Sequence, residues 1–288
     1  MSAAPGRAEA DEVARAHDEN FPVAFMLAPR DVRADMRAIY AFCRITDDIG
    51  DAGIATPEER LEALDAWEAG LLQAINRAGE DPVLVTVADV IRRRRLQVDL
   101  FTRLIEANRI DQRTSRWESH DDLIEYCSYS ATPVGRMVLG VLGLDDARRL
   151  ELSDATCEGL QLVNFWQDIR RDLEERDRVY LPAEDMRLFG VGVDDLRAPQ
   201  ASPALRELVR MEVQRARALL VHGAPLRGMV PRRVRLDIGM FTAGGLWVCD
   251  SIADHGYDTI AQRPAPGARG RAAMAAGVAW RLMRGGGA

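Results

Sequence analysis

The chain has no lysine: all 38 of its cationic residues are arginine. That absence excludes a phosphate loop built on lysine, a Schiff-base lysine and a pyridoxal-phosphate enzyme. Any phosphate held here is held by arginine, backbone or metal. Cysteine and histidine are sparse, four of each, with no pair at zinc-ligand spacing and no sign of a disulfide framework. No long apolar run is present: the uncharged stretch Ile238–Cys249 is well short of the roughly 20 residues that span a bilayer. Residues 1–20 are charged throughout and lack the apolar core of a signal peptide, which predicts a cytoplasmic protein. The net charge of −7 argues against general affinity for nucleic acid.

What is present is an ordinary globular composition, 288 residues and 47% hydrophobic, enough to bury a sizeable core. The dominant period is helical. Thr56-Pro57-Glu58-Glu59 reads as a capping box with proline in the first turn, and Ser119-His120-Asp121-Asp122 is a similar start. Ser202-Pro203 opens another helix, and Gly50, Gly190 and Gly223 mark stops. These signals predict helices over 29–49, 57–77, 82–94, 97–108, 120–143, 146–175, 203–222 and 231–255, with almost no strand signal. The charged stretches Glu58–Glu68 and Arg92–Arg95 read as solvated helix faces. The expectation is one all-α domain over residues 19–262, after a frayed segment 1–18 and before a flexible basic tail, 263–288.

Two polar stripes interrupt otherwise apolar helices. In residues 39–51, Tyr40, Arg44, Asp47, Asp48 and Asp51 recur at spacings of three and four, so they share a face. Three carboxylates so close repel one another. One reading is a solvated helix end with Arg44 paired to Asp48; the other is a hard-cation site that also holds phosphate oxygens. In residues 161–182, Asn164, Asp168 and Asp172 stand at i, i+4 and i+8, flanked by Gln161 and Gln167. Arg171, Arg178 and Tyr180 follow, and arginine forks suit a diphosphate. The alternative is a salt-bridged helix, Asp168 with Arg171 and Asp172 with Arg176. Two such stripes in one all-helical chain point to carboxylate clusters facing a central cavity, as bundle cores build metal sites. Apolar walls around a metal-held diphosphate suit a prenyl diphosphate.

At these residues the sequence resembles the squalene/phytoene synthase family, the head-to-head prenyltransferases of the all-α isoprenoid synthase fold. The resemblance runs through Tyr40–Arg44 into Asp47–Asp51, then Tyr126–Gly135, Asn164–Asp172 and Arg178–Pro182, in the family's order. Within the family, Glu19–Val23 and Asn164–Asp168 look like the bacterial hydroxysqualene synthase subgroup. Gln167 stands where condensing members usually carry arginine, and Gly50 stands where a bulkier residue is common.

The resemblance implies presqualene diphosphate as substrate and Mg²⁺ as cofactor, with farnesyl diphosphate the substrate of the condensing alternative. It implies metal ligands Asp47, Asp48, Asp51, Asn164, Asp168 and Asp172, and a catalytic role for Tyr126 beside Asp47, Asp51, Asp168 and Asp172. Arg44, Arg171 and Arg178 would clamp diphosphate, with Tyr40, Gln167, Tyr180, Phe21 and Phe25 also on substrate. Phe21, Phe25, Phe165 and Trp166 would either stabilise cations through their π faces or simply pack the core. Gly135, Gly140 and Gly143 either leave room for a long isoprenoid chain or let helices pack closely. The basic tail, with Arg269, Arg271, Arg281 and Arg284 among Met274, Trp280 and Leu282, either frays or touches an anionic lipid surface at the inner face of the membrane.

Overall fold

The computed structural model describes residues 29–51, 53 and 55–264. Phe21, Phe25, the Glu19–Val23 segment and residues 265–288 of the basic tail lie outside them. The described residues are all-α: no strand occurs among them, and one isolated bridge joins Arg116 to Val179. None of their helices is long and apolar enough to cross a membrane, and all four cysteines are free. They divide into two compact units, one running to Arg113 and including residues 133–150, the other comprising residues 114–132 and 151 onward.

The first unit holds α1 (Arg30–Gly50), α2 (Pro57–Ile75), α3 (Pro82–Arg94), α4 (Asp99–Arg113) and most of α6 (Thr132–Leu142). The anticipated capping box is present: Thr56 accepts from the Glu59 amide while the Glu59 carboxylate takes the Thr56 amide. Fully buried Phe42 centres the core, stacked on Trp67 at 5.8 Å and edge-on to Phe101 at 5.2 Å. Trp67 Nε1 donates to Thr46 Oγ1 at 3.0 Å, which satisfies the indole where α1 and α2 meet. The Arg92–Arg95 stretch is more than a solvated face. Arg93 and Arg94 both grip the buried Asp35 carboxylate, at 3.0 and 2.6 Å, so a charge that burial alone would make costly is doubly paired.

The second unit holds α5 (His120–Ser130), most of α7 (Ala147–Gln167), α8 (Ile169–Arg176), α9 (Ala183–Phe189), α10 (Pro203–Gly223) and α11 (Arg235–Asp254). Two expected long helices are each broken once. The 120–143 stretch breaks at Ala131, just before Pro133, and the 146–175 stretch breaks at Asp168. The short α9 after Pro182 was not anticipated, being too brief to show a period. Gly159 lets α10 lie close on α7, since a Cβ there would stand 2.8 Å from Leu220 Cγ and 3.0 Å from the Ala216 carbonyl oxygen. Gly140 likewise fits the close-packing reading, with Leu96 Cδ2 2.6 Å from where its Cβ would be.

A buried acidic pair lies between α9 and α10. Arg215 Nη1 is 2.6 Å from Asp185 Oδ2 and 2.9 Å from Glu212 Oε1, and both carboxyls are buried. Desolvation pushes the Glu212 pKa up to about 8, against the pull of Arg215 and with a further push from the hydrogen bond to Asp185. The folded chain therefore keeps a proton that an unfolded glutamic acid releases near 4.5. The stability this supplies is complete below pH 4.5 and is lost as pH rises through about 8. Glu212→Gln keeps a neutral donor toward Asp185 at every pH. Its unfolding free energy, measured by urea titration against the parent chain, should gain with pH across that window, by up to about 1.4 kcal/mol per pH unit.

Candidate active site

The first acidic group sits at the C-terminal end of α1. Asp51 caps the helix, its amide donating to the Asp47 carbonyl oxygen at 2.9 Å. Arg44 Nη2 lies 2.6 Å from Asp48 Oδ1, the pairing foreseen from the sequence; both side chains are well exposed, so the bond itself adds little. The Nε–H of Arg44 is buried with no acceptor among the described residues, a donor left over for an anion. Asp47 keeps contact with solvent, yet the protein around it replaces much of the bulk water. That desolvation pushes its pKa up to about 6; Asp51 and Asp48 push the same way, and Asn108 and Arg44 pull back. Tyr40, half-buried one turn before Arg44, has its hydroxyl pKa raised by burial.

Gly50 is the last residue of α1, the stop its sequence position marked. A Cβ there would stand 2.0 Å from Asn108 Oδ1, so the glycine makes room for a side chain from α4. Asn108 Nδ2 donates to Asp47 Oδ1 at 3.3 Å, and Gln112 Nε2 donates to the Gly50 carbonyl oxygen at 3.0 Å. Neither residue was singled out from the sequence. The available signal was a pair of amides spaced i, i+4 on an amphipathic helix.

The second group occupies the α7–α8 junction. The ladder carries through the break: Asp168 N–H donates to the Asn164 oxygen at 3.1 Å and Asp172 N–H to the Asp168 oxygen at 2.8 Å. The i, i+4, i+8 register of Asn164, Asp168 and Asp172 survives in the backbone. Asn164 is exposed, while Asp168 and Asp172 are buried. Arg171 Nη2 is 2.8 Å from Asp168 Oδ2, and Arg176 Nη1 is 3.3 Å from Asp172 Oδ1, as the salt-bridged reading has it. Burial raises the Asp172 pKa to about 6, reinforced by the Asp168 charge and opposed by Arg171 and Arg176. A second guanidinium, Arg263, closes on Asp168 through Nε and, at 3.1 Å, Nη2. Gln167 Nε2 donates to the Pro264 carbonyl oxygen next door. Arg263 stands 95 residues from its partner, outside every motif, and nothing local announces it.

Tyr126, Tyr180 and Phe165 meet in the second unit. Segments 115–118 and 179–184 are clasped by backbone bonds: Val179 N–H to the Ser115 oxygen, Ala183 N–H to Trp117 and Glu184 N–H to Glu118, all at 2.9–3.0 Å. The clasp brings Trp117 onto Tyr180, rings 4.5 Å apart, and Phe165 stacks on Tyr180 at 3.7 Å. Tyr126 leans on all three, its centroid 5.1 Å from Trp117, 6.0 Å from Tyr180 and 6.2 Å from Phe165. Trp166 is fully buried behind Phe165, edge-on at 6.4 Å. Arg178 is buried, its backbone amide donating to the Asp172 oxygen at 3.0 Å. Trp117 is the ring that the sequence reading left out.

The oxygen-only donor set fits Mg²⁺, which takes one or two carboxylates and completes its shell with water and substrate phosphate. Among the described residues no three His, Cys, Asp or Glu side chains converge to hold a metal ion by themselves. Comparison with known proteins adds the family. The squalene/phytoene synthase model matches residues 14–272. The chain belongs to the squalene/phytoene synthase family. It is 36% identical over 228 residues to a hydroxysqualene synthase of Rhodopseudomonas palustris, covering 78% of this chain and 76% of that one. It is 32% identical to a phytoene synthase of Thermus thermophilus, covering 87% and 84%. Among solved structures, squalene synthase HpnC from Alicyclobacillus acidocaldarius aligns with a TM-score of 0.82 at 40% identity, over 88% of this chain and 94% of that one. Enzymes of the squalene/phytoene synthase family are prenyltransferases that act on prenyl diphosphates.

The aromatic stack yields a stability test. Trp117→Ala should cost about 3–5 kcal/mol, as large aromatic truncations do in packed sites. Trp117→Phe keeps a ring on Tyr180 and should cost less than half of that. Equilibrium urea unfolding of both variants checks the ordering, and equal losses would remove the stack as the cause.

Proposed function

We propose that the protein is a hydroxysqualene synthase, converting presqualene diphosphate and water to hydroxysqualene and diphosphate. The observation that carries the reading is the pairing of carboxylates four residues apart, Asp47 with Asp51 and Asp168 with Asp172, each pair beside arginine. Asp47, Asp48 and Asp51, and Asn164, Asp168 and Asp172, would hold Mg²⁺, which when bound neutralises charge on the leaving diphosphate. The likeness to the Rhodopseudomonas palustris and Alicyclobacillus acidocaldarius proteins, and Gln167 within Asn164–Asp168, support this member of the family over its relatives.

The steps follow from the residues. Arg44, whose buried Nε–H has no acceptor among the described residues, takes a diphosphate oxygen, with Arg171 and Arg178 as further clamps. The carbinyl C–O bond breaks and its electron pair leaves with the diphosphate. The cyclopropylcarbinyl cation rearranges beside the aromatic cluster. A water oxygen then forms the new C–O bond and its proton passes to solvent, so no reductant is consumed. Tyr126, held against Trp117, Tyr180 and Phe165, orients the leaving group or the cation.

The second reading, condensation of two prenyl diphosphates, is favoured by the match to phytoene synthase at greater coverage of this chain. Incubation with Mg²⁺ and no NADPH separates the two, with products identified by mass spectrometry. Hydroxysqualene from presqualene diphosphate, with farnesyl diphosphate untouched, is the expected result. Consumption of farnesyl diphosphate to presqualene diphosphate would establish the condensing reading instead. Asp168→Ala should lower turnover by at least about a hundredfold with an unchanged circular dichroism spectrum, since it removes charge stabilisation worth roughly 3 kcal/mol or more. Retained turnover would remove Asp168 from the site.

A further inference from the structure

The end of α1 is held by two amides that lie one turn apart on α4. Asn108 Nδ2 donates to the Leu104 carbonyl oxygen at 3.1 Å and to Asp47 Oδ1 at 3.3 Å. Both neighbours are acceptors, so the NH₂ group must face them, and the amide's orientation is fixed by chemistry. Its oxygen then occupies the volume that a side chain on residue 50 would need: a Cβ there would lie 2.0 Å from Asn108 Oδ1 and 2.8 Å from Cγ. Gln112 Nε2 donates to the Gly50 and Asn108 carbonyl oxygens, each at 3.0 Å, and its Oε1 accepts from Arg60 Nη1 at 3.2 Å. A helix-terminal carbonyl that lacks an intrahelical partner is thereby bonded.

We propose that Asn108 is a positioning residue for Asp47, and that Gly50 exists as its complement. Asn108 fixes one carboxylate oxygen and leaves Oδ2 for the cation, while Gln112 fixes the backbone from which the carboxylate hangs. Side chains at positions 50 and 108 exclude one another: any residue larger than glycine at 50 displaces the amide. The inference rests on the reading that the α1 carboxylates hold magnesium. Outer partners of metal ligands act this way, and losing one weakens metal affinity by about 10–100-fold.

The test is metal binding by the intact chain, without turnover. Mn²⁺ serves as the paramagnetic stand-in for Mg²⁺, titrated with inorganic diphosphate present and free Mn²⁺ read by electron paramagnetic resonance. Asn108→Leu, which keeps the volume and loses the donor, should weaken Mn²⁺ binding about tenfold and shift Tm by no more than a few degrees. Gly50→Ala should weaken it similarly by pushing the amide aside. Gly50→Ala with Asn108→Ala should regain the Tm lost in Gly50→Ala yet bind Mn²⁺ as weakly as either. In an Asp47→Asn background, Asn108→Leu should have no further effect, because its action runs through that carboxylate. Wild-type affinity in Asn108→Leu, or an equal loss with Asp47 already neutralised, overturns the proposal. Should Asn108→Leu not fold, Asn108→Ser, too short to reach Asp47, repeats the measurement. A parent chain that binds no Mn²⁺ would instead overturn the metal reading itself.

Discussion

Like charges held four residues apart along a helical register set the terms for the rest of the structure. Each such carboxylate pair repels itself, and desolvation compounds the cost; both effects appear in the raised pKa values of Asp47 and Asp172. The two units answer differently. At α1 the relief is an amide donor on Asp47 and a single exposed arginine on Asp48. At the α7–α8 junction it is cationic, with Arg171 and Arg263 on Asp168 and Arg176 on Asp172. A chain without lysine meets every such need with a planar fork, which suits carboxylate and phosphate alike. The same arginines that balance the acids in the unliganded chain are thus chemically fit to take a diphosphate.

Most of the helices could be read from the sequence because their ends carry local chemistry. Thr56, Asp81, Ser119 and Ser202 each accept from a first-turn amide, and proline follows three of them directly. The breaks were less legible. The stop at Ala131 falls two residues before Pro133, whose missing N–H and ring cannot continue the preceding helix. At Asp168 nothing in the sequence forbids a helix, and the amide there is shared between the Asn164 and Phe165 oxygens. The polar stripes survived because hydrogen bonding keeps the register through that break.

The site residues followed the same division. Motif residues whose spacing is helical were found, together with their short-range partners, Arg44 with Asp48 and Arg171 with Asp168. What was missed acts across long separations. Asn108 reaches Asp47 over 61 residues and Arg263 reaches Asp168 over 95. Such contacts are set by how helices pack, which one-dimensional period does not record. Gly50 shows the difference: read along the chain it is a helix stop, and read across the fold it is also the space for another residue's side chain.

The stack around Tyr180 carries a consequence for its chemistry. With indole stacked on it at 4.5 Å and phenyl at 3.7 Å, the buried ring has its π surface engaged by neighbours. The place of its hydroxyl is set by the rings stacked on it. The clasp between segments 115–118 and 179–184 thus sets where a polar oxygen stands among apolar rings, using backbone bonds alone.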